Sequence, residues 1–589
     1  MREGFEKWAA APDIETEMRH IGFGKAGIAG TALLVLAGAG LVFAGPGMIR
    51  WFVDRPVAWN EHDDANVPAL PETNHLQEVQ ATLTIRDNLA NEADRILAAE
   101  GPLPAEDVNA VDEVPCSTWY CARNHLHPMS LEEIATGSPG SAPTPPFTIV
   151  KGKDEGAASG FQVVDAKGKK FMLKLDPRGH LGLQSGAEMI GYRLFHAAGY
   201  NVPGAFLVDI DRADLRLDPH ATFKLLDIEK RPLTEARVAT QLSGVAQLPG
   251  GRLRTVEVPW LRGQVLGSFD MLGVRPGDPN DRIPHERRRS LRASWVLFAW
   301  LSVLDAGSIN TLDTYVEEGG RHFIRHYFFD FGCSFGSATA YAQGPQQDGE
   351  FLIEVGRSLA ALFSFGLYQR PFQAREERQT WQTLDAEYPA VGYFPAEDFD
   401  PDSYRGNRRV PAHMRITAGD AYWGAKVVTA FTDAQVHAVV ATARYSESDG
   451  AYVEHALRVR RDILGRRYLR AVAAIESPGM SPDGSQVCFD DLAIDRGYAG
   501  VLEARYLVEV SDGHGVRVAG YQQAAAGSHA CVPIGGVGAG TGYRVVSIRE
   551  QLAGGAGHPD TPIGKPARIH LRWRAGERRF VVVGLERDE

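Results

Sequence analysis

The spacing of hydrophobic and polar residues changes several times along the chain, and each change marks an element or a boundary. From Ala26 to Gly45 the run AGIAGTALLVLAGAGLVFAG carries no charge. A helix needs about 20 such residues to cross a bilayer, so the pattern predicts a transmembrane helix over 26–45. Residues 75–100 are polar with apolar positions at helical spacing, which predicts a surface helix or stalk. GSPGSAPTPP at 137–146 reads as a linker, because Pro, Gly and Ser break both periodicities. Beyond it come short strand-like runs and then helices, as far as residue 475. Next, YLVEV (506–510), YRVVSI (543–548), RIHLRW (568–573) and RFVVVGL (579–585) alternate with Gly-rich turns, the pattern of a small β domain. GGVGAGTG at 535–542 lacks the G-x-G-x-x-G spacing and leads into a strand, so it reads as a turn. The patterns divide the chain into an N-terminal segment (1–25), a membrane helix (26–45), a stalk and linker (46–146), an α+β domain (147–475) and a C-terminal β-rich domain (476–589).

Charge narrows the classes. The 589 residues hold 62 Lys and Arg against 74 Asp and Glu, a net charge of −12. Without a long basic block the chain is poorly suited to a phosphate backbone, which argues for no nucleic-acid partner. A hydrophobic content of 44% excludes a wholly disordered chain. Arg2, Lys7, Arg19 and Lys25 precede the apolar run, and only Arg50 and Arg55 follow it closely. This asymmetry leans toward a cytoplasmic N-terminus and a periplasmic or otherwise extracytoplasmic body, held by a single pass. The segment ahead of the run is long for a cleaved signal peptide, so the helix is expected to remain as an anchor. Cys116 and Cys121 bracket STWY, and His125 and His127 follow. A short-loop disulfide and a zinc site both fit these residues, although C-x4-C-x3-H-x-H is not a usual finger spacing. Cys333, Cys488 and Cys531 stand alone in the sequence.

Candidate chemistry begins directly after the linker. FTIVKGKDEGAASGFQVVDAKGKKFMLKLD (147–176) holds two strand-like runs around a loop with Gly152, Gly156 and Gly160, and a third strand follows AKGKK. Glycines between antiparallel strands leave amides open to a phosphate, and they are also common in plain hairpins. Lys174 interrupts the apolar run FMLKL. Buried, its ammonium needs a carboxylate or phosphate; on the solvent side of the strand it needs neither. The helix SGAEMIGYRLFHAAG puts Ala187, Ile190, Leu194 and Ala197 on one face and stops at Gly199. Glu188 in its first turn either closes a capping box with Ser185 or pairs with Lys174.

The most informative stretch is WVLFAWLSVLDAGSINTLDTYVEEGGRHFIRHYFFDFG (295–332), which opens with the end of a helix carrying Leu291, Trp295 and Phe298 on one face. Asp305 and Asn310 fall in the following loop. The strand TYV, the turn EEGG and the strand RHFIRHYFF then lead to Asp330-Phe331-Gly332. A hairpin returns the chain to its origin, so Asn310 and Asp330 are predicted at the same end. With Asp305 they offer the oxygen-rich set that a hard cation such as Mg²⁺ prefers.

In this order of Gly loop, strand Lys, helix Glu, D-x4-N, hairpin and D-F-G, the chain resembles the protein-kinase fold in its atypical bacterial branches. KLDPRGHLGLQSGAEMIGYRLFHAAGYNVP, INTLDTY and HYFFDFGCSFGS are similar to a group of uncharacterised bacterial envelope proteins with a kinase-like domain. The resemblance spans roughly 147–475 and implies a two-lobed domain that takes ATP and Mg²⁺. It implies that Gly152, Gly156 and Gly160 cover the nucleotide, that Lys174 holds the α- and β-phosphates, and that Glu188 orients Lys174. Asp305 would accept the proton of a substrate hydroxyl, and Asn310 and Asp330 would bind the metal. DAYWGAKVVTAF (420–431) fits a helix of the larger lobe. Two positions depart from the kinase pattern. The H-R-D loop reads Val303-Leu304-Asp305, and Gly307 stands where a basic residue is expected. Charge on a transferring phosphoryl group is then less well neutralised.

The expectation is a membrane-anchored α+β protein with a two-lobed kinase-like domain and a C-terminal all-β domain. It would transfer phosphate from a nucleotide to a hydroxyl of a protein or small envelope molecule. The other reading is a pseudokinase that binds or scaffolds within the envelope. Val303, Gly307 and an ATP-poor exterior favour the second reading; the joint presence of Lys174, Glu188, Asp305, Asn310 and Asp330 favours the first.

Overall fold

The computed structural model describes residues 51–52, 62–74, 85–90, 103–152, 159–225, 229–345, 349–365, 367–370, 372–373, 387–535, 542–552 and 561–587. The predicted membrane helix at 26–45 lies outside them, as does most of the predicted helix at 75–100. Among the described residues no helix is long and apolar enough to cross a membrane.

After a π-helical turn at Arg86–Ala90, the first α-helix among the described residues, α1 (Leu131–Thr136), starts at a capping box. The Ser130 hydroxyl accepts from the Glu133 amide, and the Glu133 carboxylate accepts from the Ser130 amide. After it come β1 (Phe147–Gly152), β2 (Ser159–Val164), β3 (Lys170–Leu175), helix α2 (Leu183–Ala198), β4 (Phe206–Ile210), β5 (Leu215–Leu225) and β6 (Glu229–Pro232). Helix α3 (Glu235–Ser243) and β7 (Leu253–Pro259) complete this part. The seven strands form one sheet in the order β4-β7-β3-β2-β1-β5-β6, antiparallel except where β1 meets β5.

Alternation along β3 decides what faces what. Phe171, Leu173 and Leu175 point to one side and are buried with Val238 and Leu242 of α3. The intervening Lys174 shares the opposite side with Val256 of β7, its direct cross-strand neighbour, and Val256 and Val258 pack there with Ala187, Ile190 and Leu194 of α2. The sheet therefore carries its candidate lysine on the face that α2 covers.

Opposite this layer stands α4 (Ser294–Leu301), every residue of which is buried except Trp295. A helix apolar all round belongs in a core. Against it pack α5 (Ala418–Val428) and α7 (Glu447–Tyr468), with α6 (Asp433–Ala441) packed on α7, α1 and α2 and with Trp300 and Trp423 in the shared interior. Both α5 and α6 begin with capping boxes, Thr417 with Asp420 and Thr432 with Gln435. From α4 the chain passes through the loop 302–310 into a three-stranded sheet, β8 (Gln264–Gly267), β9 (Thr311–Glu318) and β10 (Arg321–Phe328), ordered β10-β9-β8. The β9–β10 hairpin is the one the EEGG turn predicts.

The C-terminal part holds β11 (Ile475–Met480), β12 (Gln486–Asp491), β13 (Ala504–Asp512), β14 (Arg517–Ala524), β15 (His529–Pro533), β16 (Tyr543–Leu552), β17 (Thr561–Arg574) and β18 (Arg579–Arg587). They make two sheets, β11-β12-β15 and β14-β13-β16-β17-β18, around a core of their own with Phe489, Tyr506, Val546 and Ile569. All four strands expected from alternation are present. One helical turn, Leu492–Asp495, interrupts the expected all-β run, because Asp491 caps the amides of Ala493 and Ile494. Helices with several separate sheets make the protein α+β, as the sequence predicts.

Two expectations need correction. Within the stretch expected as stalk and linker, the part around 105–122 is built into the core, while 137–146 is mostly exposed or half-buried. Trp119 is 4% and Tyr120 0% exposed, and Trp119 stacks on His326 of β10 with ring centroids 3.4 Å apart. Asp107 accepts from the Ser290 hydroxyl at 2.7 Å, and Asp112 accepts from both Arg289 and Arg587. The polar look of this stretch misleads because its aspartates answer buried arginines far along the chain. Of the two readings of the first cysteine pair the disulfide is the one present, and the correction concerns Cys488 and Cys531. Cys116 and Cys121 are disulfide-bonded, while His125 faces Glu113 and Tyr120 and His127 is exposed, so the four do not form a zinc site. Cys488 and Cys531, which stand alone in sequence, lie directly opposite each other on β12 and β15 and are bonded too. Cys333 is a free thiol.

Candidate functional site

The register of β3 and the start of α2 place the first two groups. Lys174 is 4% exposed, and its ammonium meets the Glu188 carboxylate and, at 2.8 Å, Asp330 Oδ1. An ammonium taken out of water requires such partners. Glu188 is available because α2 begins before the predicted point. Gly182, at φ 100°, precedes the first helical residue. Asp176 then accepts from the amides of Gly182, Gln184 and Ser185 and from the Ser185 hydroxyl at 2.7–2.9 Å. The Ser185–Glu188 capping box therefore does not form, since Asp176 already satisfies those donors. One turn inside the helix, Glu188 turns toward β3.

The β9–β10 hairpin delivers Asp330. Its backbone sits at φ 61°, a left-handed conformation that non-glycine residues hold only when surroundings impose it. Here the Asp330 amide donates to the Tyr192 hydroxyl at 3.0 Å, and the Phe331 amide donates to Glu188 Oε2 at 3.4 Å. Phe331 packs on Tyr192 and Phe195 with centroids 5.1 and 4.5 Å apart. Gly191 of α2 makes room for it, because a Cβ there would collide with the Phe331 side chain. Asn310 Nδ2 donates to the carbonyls of Asp305 at 3.1 Å and Asp330 at 3.5 Å, and the Phe329 amide returns a bond to Asn310 at 3.0 Å. Asn310 and Asp330 thus meet at one end of the hairpin, as predicted.

Asp305 is half-buried, and its Oδ1 has no hydrogen-bond partner among the described residues. The structure therefore gathers Lys174, Glu188, Asp305, Asn310 and Asp330 into one cluster. The glycines divide differently. Gly156 lies outside the described residues. Gly160 sits opposite Lys174 in the ladder, where a Cβ would strike the Leu173 carbonyl, and a Cβ at Gly152 would press on Phe223. Packing alone accounts for both. Sequence reasoning missed Asp176 and Tyr192. The second was within reach, since Tyr192 follows Glu188 by one helical turn and shares its face.

One ammonium stands here against three carboxyl groups, and the imbalance shows in their protonation. Burial would lower the Lys174 ammonium, but Asp330 and Glu188 outweigh it and hold it well above the ordinary lysine range. Burial raises Glu188, and Asp330 adds to the rise while Lys174 opposes it. Burial and the Asp330 charge push Asp305 up to about 6. The Cys333 thiol beside it is driven far up by burial and by Asp305, so it is no thiolate nucleophile. Carboxylate and amide oxygens, an idle Asp305 oxygen and an excess of negative charge fit Mg²⁺, which takes hard oxygen ligands.

A raised carboxyl contributes stability that is complete below its unfolded value and is lost as pH rises through its folded one. For Asp305 that window runs from the ordinary aspartate range to about 6. Asp305→Asn removes the titration, so wild type is expected to lose of order 2 kcal/mol relative to the variant between pH 4 and pH 7. Urea unfolding of both proteins across that range checks it, and parallel pH profiles would contradict it.

No protein-family model matches the chain, and no curated protein and no solved structure matches it.

Proposed function

We propose that this is a membrane-anchored, kinase-like protein that binds ATP with Mg²⁺ and transfers a phosphoryl group to a hydroxyl of a protein or small envelope molecule. The observation that carries this reading is the buried contact of one strand lysine with two carboxylates, Glu188 from α2 and Asp330 from the end of the hairpin. Packing alone gives little reason to bury an ammonium with one carboxylate too many, whereas a metal–polyphosphate ligand uses all three. The strand order β4-β7-β3-β2-β1, with α2 between β3 and β4, supports a small lobe of the kinase kind. In this reading Lys174 holds phosphate, Glu188 orients it, Asp305 takes the hydroxyl proton, and Asp330 with Asn310 holds Mg²⁺, the ion that would neutralise developing phosphate charge.

The 26–45 run would anchor the protein, and two disulfides favour an oxidising compartment for the body. Such a compartment is poor in ATP, so ATP serves here as the probe of a broader class, the Mg²⁺-bound phosphoanhydrides. Gly307 and Val303 keep a second reading in view, a pseudokinase that binds the ligand without transfer.

Thermal unfolding of the full chain in detergent tests the proposal. Mg²⁺–ATP at about 100 times its dissociation constant is expected to add roughly 2.7 kcal/mol to the folded state. Asp330→Asn is expected to remove the gain. An unshifted wild type would sink the nucleotide reading, and a shift without phosphate transfer would select the pseudokinase.

A further inference from the structure

The loop Val303–Asn310 contains no cation, and Gly307 occupies the place where the kinase resemblance expects one. The structure brings another segment against it. The Tyr404 hydroxyl donates to the Val303 carbonyl, and the Asn407 amide donates to the Leu304 carbonyl at 2.7 Å. A Cβ at Gly406 would lie 3.2 Å from that same carbonyl, and a Cβ at Gly307 would lie 3.5 Å from Val410 Cγ2. Residues 404–410 thus run alongside the Asp305 loop at bonding distance.

Three arginines ride on this segment, and they differ: Arg405, which borders the same cavity as Arg408, donates to the carbonyls of Asp402 and Tyr404 at 2.8 and 2.7 Å. Arg409 is engaged, donating to the Ile353 carbonyl at 2.7 Å and to Glu354 at 3.0 Å. Arg408 is 6% exposed, yet its Nη1 has no hydrogen-bond partner among the described residues. It shares a cavity of about 220 Å³ with Ala306, the residue after Asp305. The charges that act on it come from Asp87 and Asp305, with Arg86 opposing, and burial outweighs them enough to weaken its hold on its proton. A guanidinium stays charged, and a buried N–H left idle is unfavourable, so such a group calls for an anion. On the same loop Asp305 Oδ1 is idle as well. Two idle atoms on groups of opposite sign, Arg408 Nη1 and Asp305 Oδ1, describe a site completed by a ligand with phosphoryl oxygens for one and a hydroxyl proton for the other.

We propose that Arg408 binds the terminal phosphoryl group of the bound nucleotide and supplies, from a distant segment, the positive charge that Gly307 lacks. This rests on the nucleotide reading above. An arginine contact made only to the terminal phosphate separates ATP from ADP, and a charge-assisted hydrogen bond corresponds to about tenfold in affinity or more.

Calorimetric titration of the full chain with Mg²⁺–ATP and Mg²⁺–ADP tests it. Wild type is expected to bind ATP about tenfold more tightly than ADP, and Arg408→Gln to bring the two affinities together by weakening ATP alone. Arg408→Lys keeps the charge on a shorter reach and is expected to fall between, which also serves should the glutamine variant not fold. A structural role for Arg408 would lower the melting temperature and leave the ATP-to-ADP ratio untouched. Equal affinities in wild type, or a ratio preserved in both variants, would overturn the proposal while leaving nucleotide binding intact. Failure of wild type to bind either nucleotide would overturn the nucleotide reading itself.

Discussion

Lys174→Met is expected to cost the ligand-free protein about 3–5 kcal/mol, the range for a buried pair that loses one partner. Asp330→Asn is expected to cost less than about 1 kcal/mol or to stabilise. The two substitutions break the same 2.8 Å contact, so the contrast comes from charge balance. Without the ammonium, Glu188 keeps a carboxylate at 0% exposure with a methionine before it and the Phe331 amide at 3.4 Å in place of a cation. Without the Asp330 charge, Lys174 still pairs with Glu188, and the asparagine keeps a polar group beside both. Urea unfolding of the two variants measures the difference. Equal losses would mean that the cluster is an ordinary structural ion pair, and the surplus carboxylate would no longer argue for a metal.

A chain shortened to residues 142–589 is expected not to fold. Cutting there removes Val114, Trp119, Tyr120 and Ile134 from the main core. At about 1.5–3 kcal/mol for each buried side chain this forfeits roughly 6–12 kcal/mol. It also strips Arg289 of Asp112 and Ser290 of Asp107. Those losses match the whole stability of a typical domain, about 5–15 kcal/mol. Within the full chain, Trp119→Ala alone is expected to lower stability by about 3–5 kcal/mol, since it empties the space beside His326 and Phe269. Near-ultraviolet circular dichroism and limited proteolysis read both changes. A shortened chain that melts cooperatively near the full-length temperature would show that the segment is the stalk its polarity suggests.

Much of the site was legible because its parts are local. The alternation in FMLKL sets Lys174 on a strand, the apolar face of α2 carries Glu188 one turn inside, and the EEGG hairpin brings Asp330 back to Asn310. What remained open was where each side chain would point. Period-two alternation allows Lys174 to face solvent or core, and Ser185-x-x-Glu188 is as good a capping box as an ion-pair donor. Asp176 decided the second question by capping α2 before Ser185 could.

The sequence by itself determined the strands, the helices, the hairpin and the order of the charged groups, because each depends on residues within a few positions of one another. Only the tertiary structure decided which of them are buried and what they face. The Cys488–Cys531 bond spans 43 residues, and Asp112 meets Arg587 across 475. Arg408 borders the Asp305 loop from a segment about a hundred residues further on. Burial and charge pairing are contacts between distant parts of the chain, and no local pattern carries them until the core has closed around both.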